Sequence, residues 1–274
     1  MARIGLHLSS AGPLTALTGR ARELGLECFQ FFLGSPRVWK PKSPSAEERA
    51  LFARSLKGFK VALHAPYLVN PATGKPELRR RSFERLLLEL EFCEETGVDY
   101  LVVHPGRARD EKEGLKRAAA FFKALLNAVK PVKTLLLLEN TAGARGDLGK
   151  SVEELAYLLE QLEAGLCVDT CHAFAYGYDL SSEEGLKQFK EALKRYGLLG
   201  RVRLVHANDS KTPLGSKRDR HEHVGRGYLG LKAFSLLLKD EPFGSLPFIL
   251  ETPKEDRMDE VNLNLLRKLR EERP

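Results

Sequence analysis

A chain of 274 residues, 43% hydrophobic and 30% charged, has the composition of a globular protein and the length of one large domain. No apolar run approaches the ~20 residues of a membrane helix, and Met1-Ala2-Arg3 leads directly into an alternating apolar segment without a secretory h-region, so the cytoplasm is the expected compartment and no membrane partner is expected. Four cysteines are too few for a disulfide framework, and a net charge of +7 favours a polyanionic partner.

The first β-rich segment, 3–8, is followed by Leu14, Leu17, Ala21 and Leu24 at helical spacing, with Gly25 as the stop. A second strand at 28–32 leads into the Pro-rich basic stretch Ser35–Lys42, a loop, before Ser45-Ala46-Glu47-Glu48 offers a capped helix start. The strand at 60–64 precedes a helix that opens with Arg79-Arg80-Arg81, read as a solvated face, and buries Phe83, Leu86, Leu87 and Leu90 before Gly97. Strands at 100–104 and 134–139 follow, then a helix capped at Ser151-Val152-Glu153-Glu154 with Gly165 as its stop. The last strands are expected at 166–169, 203–208 and 247–251. Eight strands alternating with helices predict one (β/α)₈ TIM barrel over residues 1–274, with its working face at the C-terminal ends of the strands.

The ends of those strands read His7, Gln30, His64, His104, Glu139, Asp169, His206 and Glu251. None of the seven histidines falls on a predicted helix; His172, His221 and His223 lie in loops just beyond strands. Neutral imidazoles beside carboxylates suit zinc or manganese better than oxygen-loving magnesium. Asp169-Thr170-Cys171-His172 and Asp219-Arg220-His221 each bring an oxygen and a nitrogen donor close together. The candidate ligands are therefore His64, His104, Glu139, Asp169, His172, His206, Asp219, His221 and Glu251, enough for three ions, while Cys167 and Cys171 are expected to be packing residues.

The runs His64-Ala65-Pro66-Tyr67-Leu68-Val69-Asn70, Val103-His104-Pro105-Gly106, Leu138-Glu139-Asn140-Thr141-Ala142-Gly143, Val168-Asp169-Thr170-Cys171-His172-Ala173, His206-Ala207-Asn208-Asp209-Ser210-Lys211 and Asp219-Arg220-His221-Glu222-His223 resemble the endonuclease IV family of zinc-dependent apurinic/apyrimidinic endonucleases. The resemblance runs from His7 through Glu251-Thr252-Pro253. It implies one zinc on His64, His104 and Glu139, a second on Glu139, Asp169, His206 and Glu251, and a third on His172, Asp219 and His221, with manganese possible in one or more sites. Glu139 is thereby expected to be the catalytic bridging carboxylate, and His7 and His223 to lie outside the ligand set. The implied reaction cuts duplex DNA 5′ to abasic sites, leaving a 3′-hydroxyl and a 5′-deoxyribose phosphate, and trims blocked 3′ ends. Zinc lowers the pKa of a bound water toward ~7, which supplies a nucleophile without a general-base side chain. Arg37 and Tyr67, with Leu68 beside them, are expected to enter the DNA stack. Lys40, Lys42, Lys211, Lys217, Arg218 and Arg226 are expected to face phosphates, and the amides of Gly225-Arg226-Gly227-Tyr228-Leu229-Gly230 to grip one ahead of a helix at Leu231. A monomer suffices for such a surface.

Two other readings fit a barrel with these strand ends: a metal-dependent sugar isomerase or epimerase, and a damage sensor with structural metals. The surplus of ligands and the basic loops favour the nuclease.

Overall fold

A computed structural model describes residues 1–41, 43–254 and 257–272; Lys42, one of the expected phosphate contacts, lies outside them. In chain order the elements are β1 (Arg3–Leu8), α1 (Thr15–Glu23), β2 (Cys28–Phe31), α2 (Ala46–Ser55), β3 (Lys60–His64), α3 (Pro76–Thr96), β4 (Tyr100–Val103), α4 (Glu111–Val129), β5 (Leu135–Glu139), α5 (Val152–Leu159), β6 (Gly165–Asp169), α6 (Thr170–Tyr176), α7 (Glu183–Arg195), β7 (Val202–His206), β8 (Asp209–Ser210), β9 (His221–Glu222), α8 (Gly230–Lys239), β10 (Pro247–Leu250) and α9 (Met258–Glu271). Eight of the strands close a barrel in the order β1-β10-β7-β6-β5-β4-β3-β2, with β1 paired in parallel both to β10 through Leu6↔Leu250 and to β2 through Leu6↔Phe29. The expected (β/α)₈ architecture is thus observed. Beside it stands a short antiparallel pair, β8 with β9, which the strand pattern did not predict.

Two apolar layers make the core. The larger lies between strands and helices and includes Phe29, Phe31, Phe52, Phe121, Phe122, Phe234 and Phe248, all essentially inaccessible. The smaller fills the barrel: Cys28, Ala62, Val102, Leu137, Cys167, Leu204 and Ile249, one from each of seven strands. The eighth strand supplies Gly5, where a Cβ would come within 1.7 Å of the Cys28 carbonyl oxygen, so only glycine fits. Side chains alternate along a strand with period two. Two residues beyond each of these eight positions stand His7, Gln30, His64, His104, Glu139, Asp169, His206 and Glu251, so the pleat turns all of them toward the barrel axis, one layer above the apolar plug.

Helix starts follow the expected chemistry: Ser45 accepts from Glu48 N at 3.1 Å and Ser151 from Glu154 N at 3.2 Å. Gly97 ends α3 with φ +75°. Gly165, expected as a helix stop, is instead the first residue of β6; a Cβ there would meet Leu137 Cδ2 at 2.7 Å, so its small size serves strand packing.

Candidate metal centre

Glu139, at the end of β5 and fully buried, is where the donors converge. Its Oε2 lies 2.9 Å from His64 Nε2 and 3.4 Å from His104 Nε2; its Oε1 lies 3.0 Å from His206 Nδ1 and 3.4 Å from His172 Nδ1. Glu251 Oε2 is 3.3 Å, and Asp169 Oδ2 3.9 Å, from His206 Nδ1. Farther along the mouth, Asp219 Oδ1 is 3.2 Å from both His172 Nε2 and His221 Nε2. Several groups within this set could each hold a metal ion: His64, His104 and Glu139; Glu139, Asp169, His206 and Glu251; and, overlapping them, Asp169, His172 and His221. Cys171 also comes near Asp219 and His221, but burial pushes its thiol up to about 12 and its Sγ points at the Arg220 carbonyl, which fits packing.

What fits this set to cations is the state of its imidazoles. A carbonyl oxygen can only accept, so a ring nitrogen bonded to one must carry its proton. His64 Nδ1 is 2.7 Å from Ala65 O, His172 Nδ1 3.0 Å from Asn140 O and His221 Nδ1 3.1 Å from Glu251 O. His206 donates through Nε2 to Gln30 Oε1 at 2.9 Å. In each ring the other nitrogen is thereby left as a lone pair, and in each it faces a carboxylate oxygen. Two acceptors at such distances repel unless a proton or a cation lies between them. Among the described residues, the buried His104 Nδ1 and His221 Nε2 have no hydrogen-bond partner, the latter despite lying 3.2 Å from Asp219 Oδ1.

Without metal, protons do that work. Burial lowers the pKa of His206, but Cys167, Glu251 and Glu139 outweigh it and hold the ring well above its usual range; for His172 burial is likewise outweighed, by Asp169, Asp219 and Glu139. His221 is raised to about 9, burial again losing to Asp169 and Asp219. The carboxylates move the opposite way: burial would raise Glu139, yet His104, His206 and His172 hold it well below its usual range, and Glu251 and Asp219 are depressed by His206 and His172 respectively.

Two local structures aim the outer donors. Asp169 ends β6 and caps α6, accepting from His172 N at 2.8 Å, so one carboxylate both starts the helix and faces the centre. His172 therefore sits in the first turn of a seven-residue helix, not in the expected loop. His221 likewise lies on β9 instead of in a loop. Gln30, Asn140 and Asn208 complete the framework. Gln30 Nε2 donates to Glu251 Oε1 at 2.6 Å and lies 3.0 Å from His7 Nδ1; Asn140 exchanges bonds with Asp169 N and O; Asn208 donates to Asp169 Oδ2 at 2.6 Å and accepts from Glu251 N at 2.8 Å. The roles of these amides were not foreseen, although each stands at a strand end or one or two residues beyond a donor. His223, expected outside the ligand set, turns toward α9, with Nδ1 3.0 Å from Asn262 Nδ2.

Among known proteins, a family described as xylose isomerase-like TIM barrel matches residues 19–271. A probable endonuclease 4 of Aquifex aeolicus is 47% identical over 276 residues, covering 98% of each chain. The chain belongs to the endonuclease IV family. The crystal structure of endonuclease IV from Thermus thermophilus superposes with a TM-score of 0.88 at 37% identity, covering 97% of this chain and 98% of that one. A D-tagatose 3-epimerase-like protein, at 18% identity and a TM-score of 0.73, shares the fold (97% and 96% covered).

Over the donors of this family member lies a cavity of about 760 Å³ whose walls include His104, Asp219, Tyr67, Leu68, Arg107 and Arg218. Tyr67 is 68% exposed, its ring 5.5 Å from that of Phe32 and 6.4 Å from that of His64, so it stands at the rim directly over the centre. Arg37 is exposed on the loop after β2, outside the cavity lining. Lys217 is exposed and lines the same cavity, its Nζ donating to the Tyr176 carbonyl and lying 3.7 Å from that ring's centroid. The expected amide grip is overturned: the Gly225, Gly227, Leu229 and Gly230 amides are held by the buried carboxylate of Asp209 at 2.9–3.2 Å. An internal anion already occupies that nest. Arg226 itself is exposed beside Lys211, Glu222 and Tyr228.

Proposed function

We propose that this chain is a DNA-repair endonuclease that hydrolyses the phosphodiester 5′ to abasic sites in duplex DNA, giving a 3′-hydroxyl and a 5′-deoxyribose phosphate, and that it also trims blocked 3′ ends. The observation that carries the reading is the convergence of nine donors, His64, His104, Glu139, Asp169, His172, His206, Asp219, His221 and Glu251, with lone pairs turned on carboxylates around one mouth. The donor set suits three zinc ions, with manganese as an alternative in one or more places. His64, His104 and Glu139 would hold the first, Glu139, Asp169, His206 and Glu251 the second, and His172, Asp219 and His221 the third. When bound, such ions lower the pKa of water and neutralise charge on phosphate and leaving oxygen.

The chain's own residues do the rest. Four carboxylates among nine ligands leave three dications incompletely neutralised, which favours an anionic phosphodiester at the mouth. Gln30 and the carbonyls of Ala65, Asn140 and Glu251 fix ring tautomers, so the donors need no rearrangement before they act. Tyr67 and Leu68 offer flat and apolar surface at the rim, and Arg37 and Arg226 offer charge on flanking loops; a sugar without its base loses little stacking when drawn into such a mouth. The relatives named endonuclease 4 match nearly the whole chain, which supports one catalytic domain over residues 1–274. No helix among the described residues is long and apolar enough to cross a membrane. A cytoplasmic monomer is the arrangement we propose.

The test is incision of a duplex carrying one abasic analogue by metal-replete protein, compared with chelator-treated protein and with turnover of simple sugars. Metal-dependent incision is expected. Sugar turnover without incision would establish the isomerase reading that the shared fold leaves open, and binding without either reaction a sensor.

A further inference from the structure

Among the described residues, the segment Phe32–Trp39 after β2 makes few hydrogen bonds within itself. These are Gly34 N to Phe32 O at 2.8 Å, Arg37 N to Ser35 Oγ at 3.3 Å and the long Val38 N to Ser35 O at 3.4 Å. The segment is nevertheless fixed, from beneath, by one face of α3. Arg85 and Glu89 are 2% and 0% exposed, and Arg85 donates through Nε and Nη2 to Glu89 Oε1 at 2.9 and 2.8 Å. The remaining guanidinium hydrogens reach three loop carbonyls: Leu33 O at 3.2 Å, Val38 O at 3.2 Å and Trp39 O at 3.0 Å. One turn earlier, the Arg81 guanidinium lies 4.5 Å over the Trp39 ring, so the run Arg79-Arg80-Arg81 is only in part a solvated face.

A buried ion pair of this kind is weak evidence of stability, because desolvation offsets much of the attraction and apolar replacements commonly do as well. What a planar fork adds is geometry: several bonds in fixed directions. Here those directions converge on the segment that carries Arg37, and whose Phe32 lies 5.5 Å from both the His64 and Tyr67 rings. Burial raises Glu89 to about 7 against the pull of Arg85, and its Oε2 has no hydrogen-bond partner among the described residues, a cost that the α3 helix itself does not require.

We propose that Arg85, held by Glu89, is a positioning residue that presets the Leu33–Trp39 loop for duplex DNA, so that Arg37 is presented without an ordering penalty when substrate binds. The proposal rests on the nuclease reading for its substrate but not for its structural part. Trp39 is the only tryptophan in the chain, so its fluorescence reports on this loop alone. Removing a preset contact weakens binding through lost order; in the double variant R85M/E89L, with its thermal transition and metal content retained, we expect acrylamide quenching of Trp39 to rise about threefold and KM for abasic duplex about tenfold, with kcat within about twofold. R85K, which keeps charge without the fork, should fall between, and it carries the same test if the double variant does not fold. Folded variants with wild-type quenching and KM would overturn the proposal, as would a fall in kcat with KM unchanged. If the wild-type protein fails to incise, the nuclease reading falls, and the quenching comparison still decides whether Arg85 orders the loop.

Discussion

An imidazole has two nitrogens, and what one of them touches decides what the other can do. At His206 the deciding partner is Gln30, which bonds two expected ligands, His206 and Glu251, and also His7 outside the ligand set. Gln30→Leu removes the acceptor on Nε2, frees the tautomer, and is expected to weaken metal binding by the ~10–100-fold typical of lost outer partners, with the fold kept; competition with a chelating dye measures it, and unchanged affinity would refute the role. Glu139→Gln should cost incision at least that much, since the carboxylate meets four imidazoles; wild-type rates in the folded variant would remove Glu139 from the chemistry. Proton linkage supplies a third expectation. His221, raised from 6.5 to about 9, and the likewise raised His172 and His206 stabilise the metal-free protein below pH 6.5, and that contribution is lost as pH rises through their folded values. Metal must displace those protons, so its affinity should increase with pH over this window. Calorimetry at pH 7 in buffers of different ionisation heat should show protons released on binding; none released would contradict the assignment.

At the scale of elements, Asp209 anchors the segment that joins β9 to α8. Its carboxylate collects four amides of that segment, and a Cβ at Gly227 would strike its Oδ1 at 2.4 Å. Asp209→Ala leaves the buried Leu229 amide and three part-buried ones unmet and should destabilise the protein by about 3 kcal/mol; urea unfolding checks it, and a loss under ~1 kcal/mol would mean that solvent replaces the anchor. The strand ends were legible in the sequence because period-two alternation places them and because each inward position two residues earlier is small or apolar. The amide nest was not. Its glycines read equally well as a grip for an external phosphate, and nothing local tells that an aspartate sixteen residues upstream from Gly225 already fills it. Helix α6 escaped for a related reason: Asp169 and Gly177 are fair cap and stop signals, but His172 between them looks like a loop ligand, and seven residues leave little room for periodicity.

For the whole molecule, net charge of +7 and a mouth flanked by arginines predict that binding to abasic duplex falls steeply with salt, by a slope of about −0.9 in log–log terms for each phosphate engaged. A salt titration with flat affinity would argue against a duplex partner. Fold alone does not decide between nuclease and sugar enzyme, as the likeness to an epimerase-like barrel shows; the loops and the number of donors separate them, and those lie at the level of single residues.

The seam of the barrel joins the first strand to the last, with His7 Nδ1 3.4 Å from Glu251 Oε1 across it. A growing polypeptide that has not yet delivered residues 247–251 therefore has two raw sheet edges and lacks one carboxylate of its central cluster. On the proposed reading, the full set of donors around the mouth is assembled only when the final stave is in place.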